Sequence, residues 1–204
     1  MIIVTGGAGF IGSNIAQELS KKHRVVICDN LNNSIKKKNI ALVKGKKTIK
    51  INEVFSFVEK HKKKISAVIH MGAISATDET NLELLLNNNY LYSLKLFNIC
   101  NKYNIKFIYA SSAATYGNSF DYYDDKNSFE NFLTLKPINY YGLSKHLFDL
   151  HILGLINSGK KLGSNPVGLK FFNVYGPNEL HKGFMMSPVP KFLKEIKKTK
   201  RLKL

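Results

Sequence analysis

The feature that most constrains the fold is a glycine-rich turn near the amino terminus, Gly6-Gly7-Ala8-Gly9-Phe10-Ile11-Gly12. It follows an apolar run, Ile2–Thr5, that has the composition of a buried parallel strand, and it opens a segment with Ile15 and Leu19 on one helical face. A strand, a glycine turn and a helix in this order form the phosphate-binding unit of dinucleotide-binding sheets. Gly6 permits the tight turn, Gly9 lets the pyrophosphate approach the backbone, and Gly12 allows close packing of helix and strand. The cofactor-binding residues expected in this unit are Gly6, Gly9, Phe10, Ile11 and Gly12.

Strands and helices alternate along the rest of the chain. The predicted strands are Arg24–Cys28, Ala67–His70, Lys106–Ala110 and Val167–Phe171, and the predicted helices begin near Phe10, Ile51, Leu82 and Tyr140. The helix that begins near Leu82 is predicted to be long, with one inner face that runs from Leu82 through Leu85, Leu86, Asn89, Ser93, Leu96 and Phe97 to Cys100. This alternation implies right-handed crossovers, so we expect an α/β fold with a doubly wound parallel sheet of the Rossmann type. The polar segment Asn30–Lys50 has no clear pattern, and Asn118–Asn131 is a polar, aromatic insertion.

Most of the net charge of +17 comes from lysine, because only Arg24 and Arg201 of the 31 basic residues are arginine. Nucleic-acid-binding surfaces usually combine lysine with arginine, whose planar guanidinium group binds phosphate and guanine edges. We therefore expect no nucleic-acid partner. The lysine clusters are interpreted as exposed loops and helix ends; they lie at residues 36–38, 44–50, 60–64 and 194–203.

Neither a membrane span nor a secretory leader is predicted, since no apolar run is long enough and the amino terminus lacks the pattern of a signal peptide. Cys28 and Cys100 lie in apolar stretches without metal-ligand spacing. We expect a cytoplasmic protein with reduced, buried thiols and no metal site.

A tyrosine and a lysine at positions 141 and 145 point to redox or proton-transfer chemistry. Four residues apart on one helix, they lie on the same face. The ammonium group of Lys145 is expected to stabilise a Tyr141 phenolate and so to lower the pKa of that phenol. A pair with this spacing is often only a surface pair, but here it follows a strand that ends in Ser111 and Ser112, where a hydroxyl can orient a substrate. The adjacent Tyr140 lacks the spacing to Lys145.

Asp29 ends the second predicted strand, where a carboxylate binds the adenosine ribose hydroxyls and favours NAD. Asn30 follows it directly. Lys36 lies close enough in sequence to reach a 2′-phosphate, so that NADP stays possible. The sequence therefore leaves the choice between the two cofactors open.

The glycine turn, the serine and the Tyr-Lys pair, in this order and separation, resemble the extended branch of the short-chain dehydrogenases/reductases, the NAD-dependent epimerase/dehydratase family. HMGAISAT at 70–77 and NNNY at 87–90 are similar to cofactor-contacting segments of that branch. YASSAATYG at 109–117 and FFNVYGPNELHKG at 171–183 resemble most closely its ADP-L-glycero-D-manno-heptose 6-epimerases.

The resemblance implies an epimerase that inverts C6 of an ADP-linked heptose, in the synthesis of lipopolysaccharide core precursors, with NADP or NAD retained through the catalytic cycle. Its acid/base groups would be Tyr141 and Lys182, assisted by Ser112 and Lys145. The other cofactor-binding residues implied are Met71, Gly72, Ala73, Ile74, Ser75, Asn88, Val174 and Lys145 itself. The substrate-binding residues implied are Ser112, Asn173, Lys182, Phe184 and Lys191. The family forms homo-oligomers.

Three departures from the family pattern bear on these expectations. Met71 replaces a frequent glutamate, and Phe184 stands where a small hydroxyl residue is typical. The last residues resemble the middle of the family pattern, so we expect a dinucleotide-binding domain at 1–170 and, at 171–204, only the start of a substrate-binding portion whose remainder is missing. This shortening leaves the activity and the oligomeric state of the chain open.

The sequence is also compatible with other functions. A UDP-hexose 4-epimerase and an inactive cofactor-binding remnant are both compatible with the motifs. A 4,6-dehydratase is disfavoured, because such enzymes usually carry an Asp-Glu pair after the active-site hydroxyl residue, whereas Ser112 is followed by Ala113 and Ala114.

Overall fold

Six parallel strands form one sheet in the computed structural model, which describes residues 1–118 and 128–201. The strands are β1 (Ile2–Thr5), β2 (Val25–Cys28), β3 (Lys47–Ile49), β4 (Ala67–His70), β5 (Lys106–Ser112) and β6 (Pro166–Phe171). Their order in the sheet is β3-β2-β1-β4-β5-β6, and every neighbouring pair is parallel. From β1 the chain forms β2 and β3 on one side of the sheet and then crosses over to form β4, β5 and β6 on the other side. The predicted doubly wound Rossmann sheet is confirmed.

Helices connect the strands on both faces of the sheet. They are α1 (Phe10–Leu19), α2 (Ser34–Asn39), α3 (Val54–His61), α4 (Leu82–Leu85), α5 (Tyr92–Lys102), α6 (Phe129–Thr134), α7 (Tyr140–Asn157) and α8 (Pro188–Thr199). Short 3-10 turns cover Ala113–Thr115 and Leu180–Met185. None of the helices in the described ranges is both long and apolar enough to cross a membrane.

The two faces of the sheet carry separate apolar cores. β1 and β2 are buried along their whole length, and successive side chains of a strand point to opposite faces. Ile3 accordingly packs with Leu96 and Phe97 of α5, whereas Val4 packs with Ala16 of α1. Their continuous apolar runs are typical of strands covered on both faces. The central strands are thus buried on both faces, and their carboxyl ends lead into the turns that carry the predicted site residues.

The single long helix predicted from Leu82 to Cys100 is interrupted in the structure. A π-helical segment, Leu86–Leu91, separates α4 from α5. Wider turns of this kind occur frequently at functional sites. The predicted inner face is otherwise confirmed, since Leu85, Asn89, Ser93 and Cys100 are all buried.

The segment without a clear pattern contains α2 and β3. Lys36, Lys37 and Lys38 form the last turn of α2, as expected for an exposed helix end, but Lys47 lies in β3 rather than in a loop. The middle of the Asn118–Asn131 insertion, residues 119–127, lies outside the described residues, as does Lys203. Both cysteines are free and buried, and burial raises the pKa of each thiol to about 12.

Candidate active site

The glycine turn connects β1 to α1 with very little space around its backbone. Gly6 adopts a left-handed conformation with φ of 63°, and a Cβ atom on Gly12 would lie 2.2 Å from the Gly6 carbonyl oxygen. Gly9 begins α1 without a side-chain cap, and the first turn of α1 carries no acidic residue. Free N–H groups and the positive end of the helix dipole suit a phosphate group. The turn therefore fits the pyrophosphate of a dinucleotide.

Replacing Gly12 by alanine is expected to destabilise the protein by about 3 kcal/mol, because the backbone must move to admit the methyl group. Gly154 of α7 offers a matched control, since its added Cβ would make only an ordinary 3.5 Å contact with Phe129. Gly154→Ala is expected to leave stability unchanged or to raise it by up to about 1 kcal/mol. Urea denaturation measures both changes, and equal stabilities of the two variants would contradict the prediction.

Asp29, at the end of β2, is buried and heavily hydrogen-bonded. One carboxylate oxygen accepts a hydrogen bond from the Ala8 N–H at 2.9 Å. The other accepts from the Lys36 ammonium at 2.8 Å and from the Asn30 N–H at 2.7 Å. The three predicted residues of the ribose site are thus brought together beside the glycine turn, and Lys36 is held there by an ion pair.

The turn after β4, which contains Met71, Gly72, Ala73, Ile74 and Ser75, lies against the glycine turn. A Cβ on Gly6 would lie 2.6 Å from the Gly72 nitrogen. Beneath it, His70 is within 2.6 Å of the Thr5 hydroxyl and 2.8 Å of the Ser93 hydroxyl. Burial, and secondarily the charge of Lys145, lowers the pKa of His70 to about 3. His70 is therefore a neutral, structural hydrogen-bonding residue under the cofactor edge.

Asn88 and Asn89 have different environments in the π-helical segment. Asn88 is exposed and donates a hydrogen bond to the Leu84 carbonyl. Asn89 is buried; its amide accepts from the Ile74 N–H at 2.9 Å and donates to the Ile74 carbonyl and to the Ser144 hydroxyl, each at 3.0 Å. Cofactor contact by Asn88 stays a prediction. Asn89, which the sequence placed only on the inner face, ties the 71–75 turn to α7.

Tyr141, Ser112 and Lys145 lie together where β5 meets α7. The Tyr141 phenol lies near the Ser112 hydroxyl, which acts to lower the pKa of that phenol, while the neighbouring Tyr140 is exposed. Lys145 is buried and donates to the Ala110 carbonyl at 2.7 Å. The structure thus assembles three of the four predicted catalytic residues at the carboxyl edge of the sheet.

The electrostatics of this group differ from the expectation. Burial raises the pKa of the Tyr141 phenol, and the nearby Ser112 hydroxyl offsets only part of that rise. The prediction that Lys145 lowers this pKa is wrong for this arrangement, because the ammonium is directed to the Ala110 carbonyl. Burial, partly opposed by Asp149, lowers the pKa of Lys145 itself to about 8.

Lys182 lies in the 3-10 turn after β6. Its ammonium sits 5.2 Å from the centre of the Phe10 ring, beside the glycine turn. Within residues 1–118 and 128–201, no hydrogen bond or ion pair joins Lys182 to Tyr141. Val174 is half-buried, whereas Asn173 and Lys191 are exposed; the side chain of Phe184 lies outside what the structure describes. The fourth catalytic candidate thus lies beside the glycine turn, and its role in catalysis stays a prediction.

Two buried acidic residues escaped the sequence analysis. Glu179 accepts hydrogen bonds from the Gly176 and Ser187 N–H groups, each at 2.8 Å, and so closes the loop that carries Lys182. Asp149 of α7 pairs with Lys170 of β6 at 3.1 Å, behind Ser112. Two signals in the sequence could have indicated the second pair: Asp149 is an acidic residue within an apolar stretch of a predicted helix, and Lys170 lies inside a predicted strand.

The sheet, the glycine turn and the Tyr-Ser-Lys group define a protein of the dinucleotide-binding α/β class. The chain belongs to the NAD dependent epimerase/dehydratase family, whose pattern it matches over residues 2–204. It is 39% identical to the ADP-L-glycero-D-manno-heptose-6-epimerase of Brachyspira hyodysenteriae, covering 100% of this chain and 64% of that protein. It is 43% identical to the enzyme of that name from Fusobacterium nucleatum, covering 93% and 57%.

Solved structures of two sugar-nucleotide epimerases have a similar fold. The ADP-L-glycero-D-manno-heptose-6-epimerase of Helicobacter pylori is 31% identical with a TM-score of 0.80, over 98% of this chain and 64% of that one. The UDP-N-acetylglucosamine 4-epimerase of Methanobrevibacter ruminantium is 30% identical with a TM-score of 0.81, over 97% and 62%. The chain spans less than two thirds of the length of each of these relatives.

Proposed function

We propose that the chain is the cofactor-binding and catalytic portion of an ADP-L-glycero-D-manno-heptose 6-epimerase that acts in the cytoplasm. The observation that carries the proposal is the grouping of Tyr141, Ser112 and buried Lys145 on the sheet edge that also holds the glycine turn. Several relatives of 38–43% identity that bear this enzyme's name support the choice of substrate. Residues 171–204 are proposed to begin the substrate-binding portion.

The cofactor site is proposed to take NADP or NAD. Gly6, Gly9 and the amino end of α1 would hold the pyrophosphate, and Asp29 would hold the adenosine ribose. Lys36 lies beside Asp29 and would contact a 2′-phosphate, which favours NADP. Lys145, with the 71–75 turn and Val174, would hold the nicotinamide end of the cofactor.

The proposed reaction inverts a carbon that bears a hydroxyl group and has no acidic C–H bond. When bound, the nicotinamide cofactor supplies the chemistry by removing a hydride from this carbon and returning it to the other face. In its phenolate form, Tyr141 would accept the proton of the substrate hydroxyl at its Oη atom, while the Ser112 hydroxyl orients that oxygen. Lys182, approaching from the side of Phe10, would serve the opposite face. Two groups are required because hydride attack occurs on both faces.

Purified protein incubated with NADP and ADP-D-glycero-heptose is expected to epimerise C6, with conversion followed by NMR. A full-length relative assayed in parallel is the positive control. No conversion by this chain beside an active relative would contradict the proposal.

A UDP-sugar 4-epimerase is the second candidate, because the Methanobrevibacter ruminantium structure superposes as well as the Helicobacter pylori one. A panel of UDP-hexoses and ADP-heptose, assayed under identical conditions, separates the two. Conversion of UDP-hexoses alone would assign the chain to this second class.

A further inference from the structure

Residues 176–182, here named the strap, cross from the end of β6 to the start of α1. The Asn14 amide donates to the Pro177 carbonyl at 3.0 Å, and the Asn178 amide donates to the Ser13 hydroxyl at 3.0 Å. From α2, the Asn39 amide donates to the Ala8 carbonyl at 3.0 Å and to the Asn178 carbonyl at 3.1 Å. The strap is thereby fastened to both sides of the glycine turn.

The strap also has an internal anchor. Buried Glu179 accepts from the Gly176 N–H through one oxygen and from the Ser187 N–H through the other. The Ser187 hydroxyl adds a third hydrogen bond at 3.0 Å. A loop closed on a buried carboxylate in this way holds its side chains in fixed directions.

His181 is the strap residue directed at the start of α1. Its Nδ1 atom lies 3.0 Å from the Asn178 carbonyl oxygen, which can only accept, and 3.4 Å from the Asn39 amide nitrogen. We assign the proton to Nδ1 because the contact with the carbonyl oxygen is the shorter one. Nε2 lies at the other end of the ring, 3.8 Å from the position of a Cβ on Gly9. It therefore faces the uncapped first turn of α1, where the backbone suits a phosphate group.

We propose that His181 is a phosphate ligand of the bound dinucleotide, its protonated Nε2 donating a hydrogen bond to the pyrophosphate held at the amino end of α1. The inference rests on the cofactor site of the proposed function and adds a residue to it. Such a contact also links cofactor binding to the position of Lys182, the next residue along the strap. The charged groups that act on His181 are Lys36 of α2, Asp29 of β2 and Lys182.

The contact has a definite dependence on pH. Burial is the main cause that lowers the pKa of His181, and Lys36 and Lys182 act in the same direction, opposed by the Asn178 hydrogen bond and Asp29. The imidazole is thus neutral near pH 7 without an anion, and Nε2 can then only accept. A phosphate beside Nε2 raises the pKa, so binding takes up a proton. Affinity for the cofactor is expected to fall as the pH rises through the pKa of the bound state.

The test is a fluorescence titration of NADPH and of NADH with the complete chain at pH 6 and pH 8. His181→Ala is expected to weaken binding of both cofactors about tenfold at pH 6, the value of one hydrogen bond to a charged group. The weakening at pH 8 should be smaller. His181→Gln, which keeps an amide donor for the Asn178 carbonyl but cannot titrate, should lose the part of the pH dependence that His181 supplies. His151→Ala, on α7 beside Tyr90, is the matched control and should bind as the unmodified chain does.

Each outcome bears on the inference separately from the reaction. Unchanged binding in His181→Ala would overturn it, and so would a loss confined to NADPH, which would place the imidazole at the 2′-phosphate. Absence of any cofactor binding by the unmodified chain would overturn both this inference and the proposed function. Normal pH-dependent binding without epimerisation would support the inference and contradict only the proposed reaction.

Discussion

Replacing Tyr141 by phenylalanine is expected to reduce the rate of epimerisation about a thousandfold, the usual contribution of a general acid–base group. The substitution removes the Oη atom, which lies near the Ser112 hydroxyl, and leaves the ring in place. The half-buried ring still packs, so folding and cofactor affinity should change little. The measurements are the initial rate by NMR and the dissociation constant of NADPH by fluorescence.

Tyr140→Phe is the matched control, because it makes the same chemical change at the neighbouring residue, whose side chain is 46% exposed. Its rate should stay within a factor of two of the unmodified chain, since surface substitutions rarely shift energies by more than about 0.5 kcal/mol. Equal rates in the two variants would remove Tyr141 from its proposed role. A selective loss in Tyr141→Phe would assign the acid–base role within the adjacent pair.

The cofactor side of the site was predictable from the sequence because its determinants are local. The strand, the glycine turn and the helix follow one another between Ile2 and Leu19, and Asp29 directly follows the second strand. A glycine at position 12 is required by contacts within this same unit. The Tyr-Lys pair likewise depends on the spacing of one helix. Such features need no knowledge of distant parts of the chain.

Features that depend on distant contacts were not predictable. β3 has three residues, of which only Ile49 is buried, and its position is set by pairing with β2. The π-helical segment contains three successive asparagines; the helical pattern placed Asn89 on the inner face, but only the fold shows that it reaches Ile74 and Ser144. The predicted effect of Lys145 on the pKa of Tyr141 failed because the Lys145 ammonium donates to the Ala110 carbonyl. Sequence spacing places both residues on one helix face but does not determine that acceptor.

The ion pair between Asp149 and Lys170 involves a lysine that is not on the surface, although the composition suggests that lysines lie there. Most lysines lie on the surface, but the ammonium of Lys170 is largely enclosed, 4.8 Å from the centre of the Tyr116 ring and 4.7 Å from that of Phe132. It donates to the Thr115 hydroxyl, and that hydroxyl donates to the Ser112 carbonyl. The pair is thus connected through Thr115 to the backbone of Ser112, the proposed catalytic serine.

Asp149→Asn is expected to destabilise the fold by about 3 kcal/mol, because it leaves Lys170 as an uncompensated, largely buried charge. Asp149 also accepts from the Tyr109 hydroxyl at 2.9 Å and from the Ser111 hydroxyl at 2.5 Å. The carboxylate accepts all three hydrogen bonds through its two oxygens, whereas an amide group has only one oxygen that can accept. The free energy of unfolding in urea measures the change.

Two further variants separate the ion pair from general damage to the core. Lys170→Met combined with Asp149→Asn removes both charges, so the double variant should be more stable than Asp149→Asn alone. Glu18→Gln breaks the exposed pair with Lys21 and should cost less than about 1 kcal/mol. If the double variant is no more stable than the single one, an unpaired charge is not the cause. The destabilisation would then be attributed to the lost hydrogen bonds of Tyr109 and Ser111.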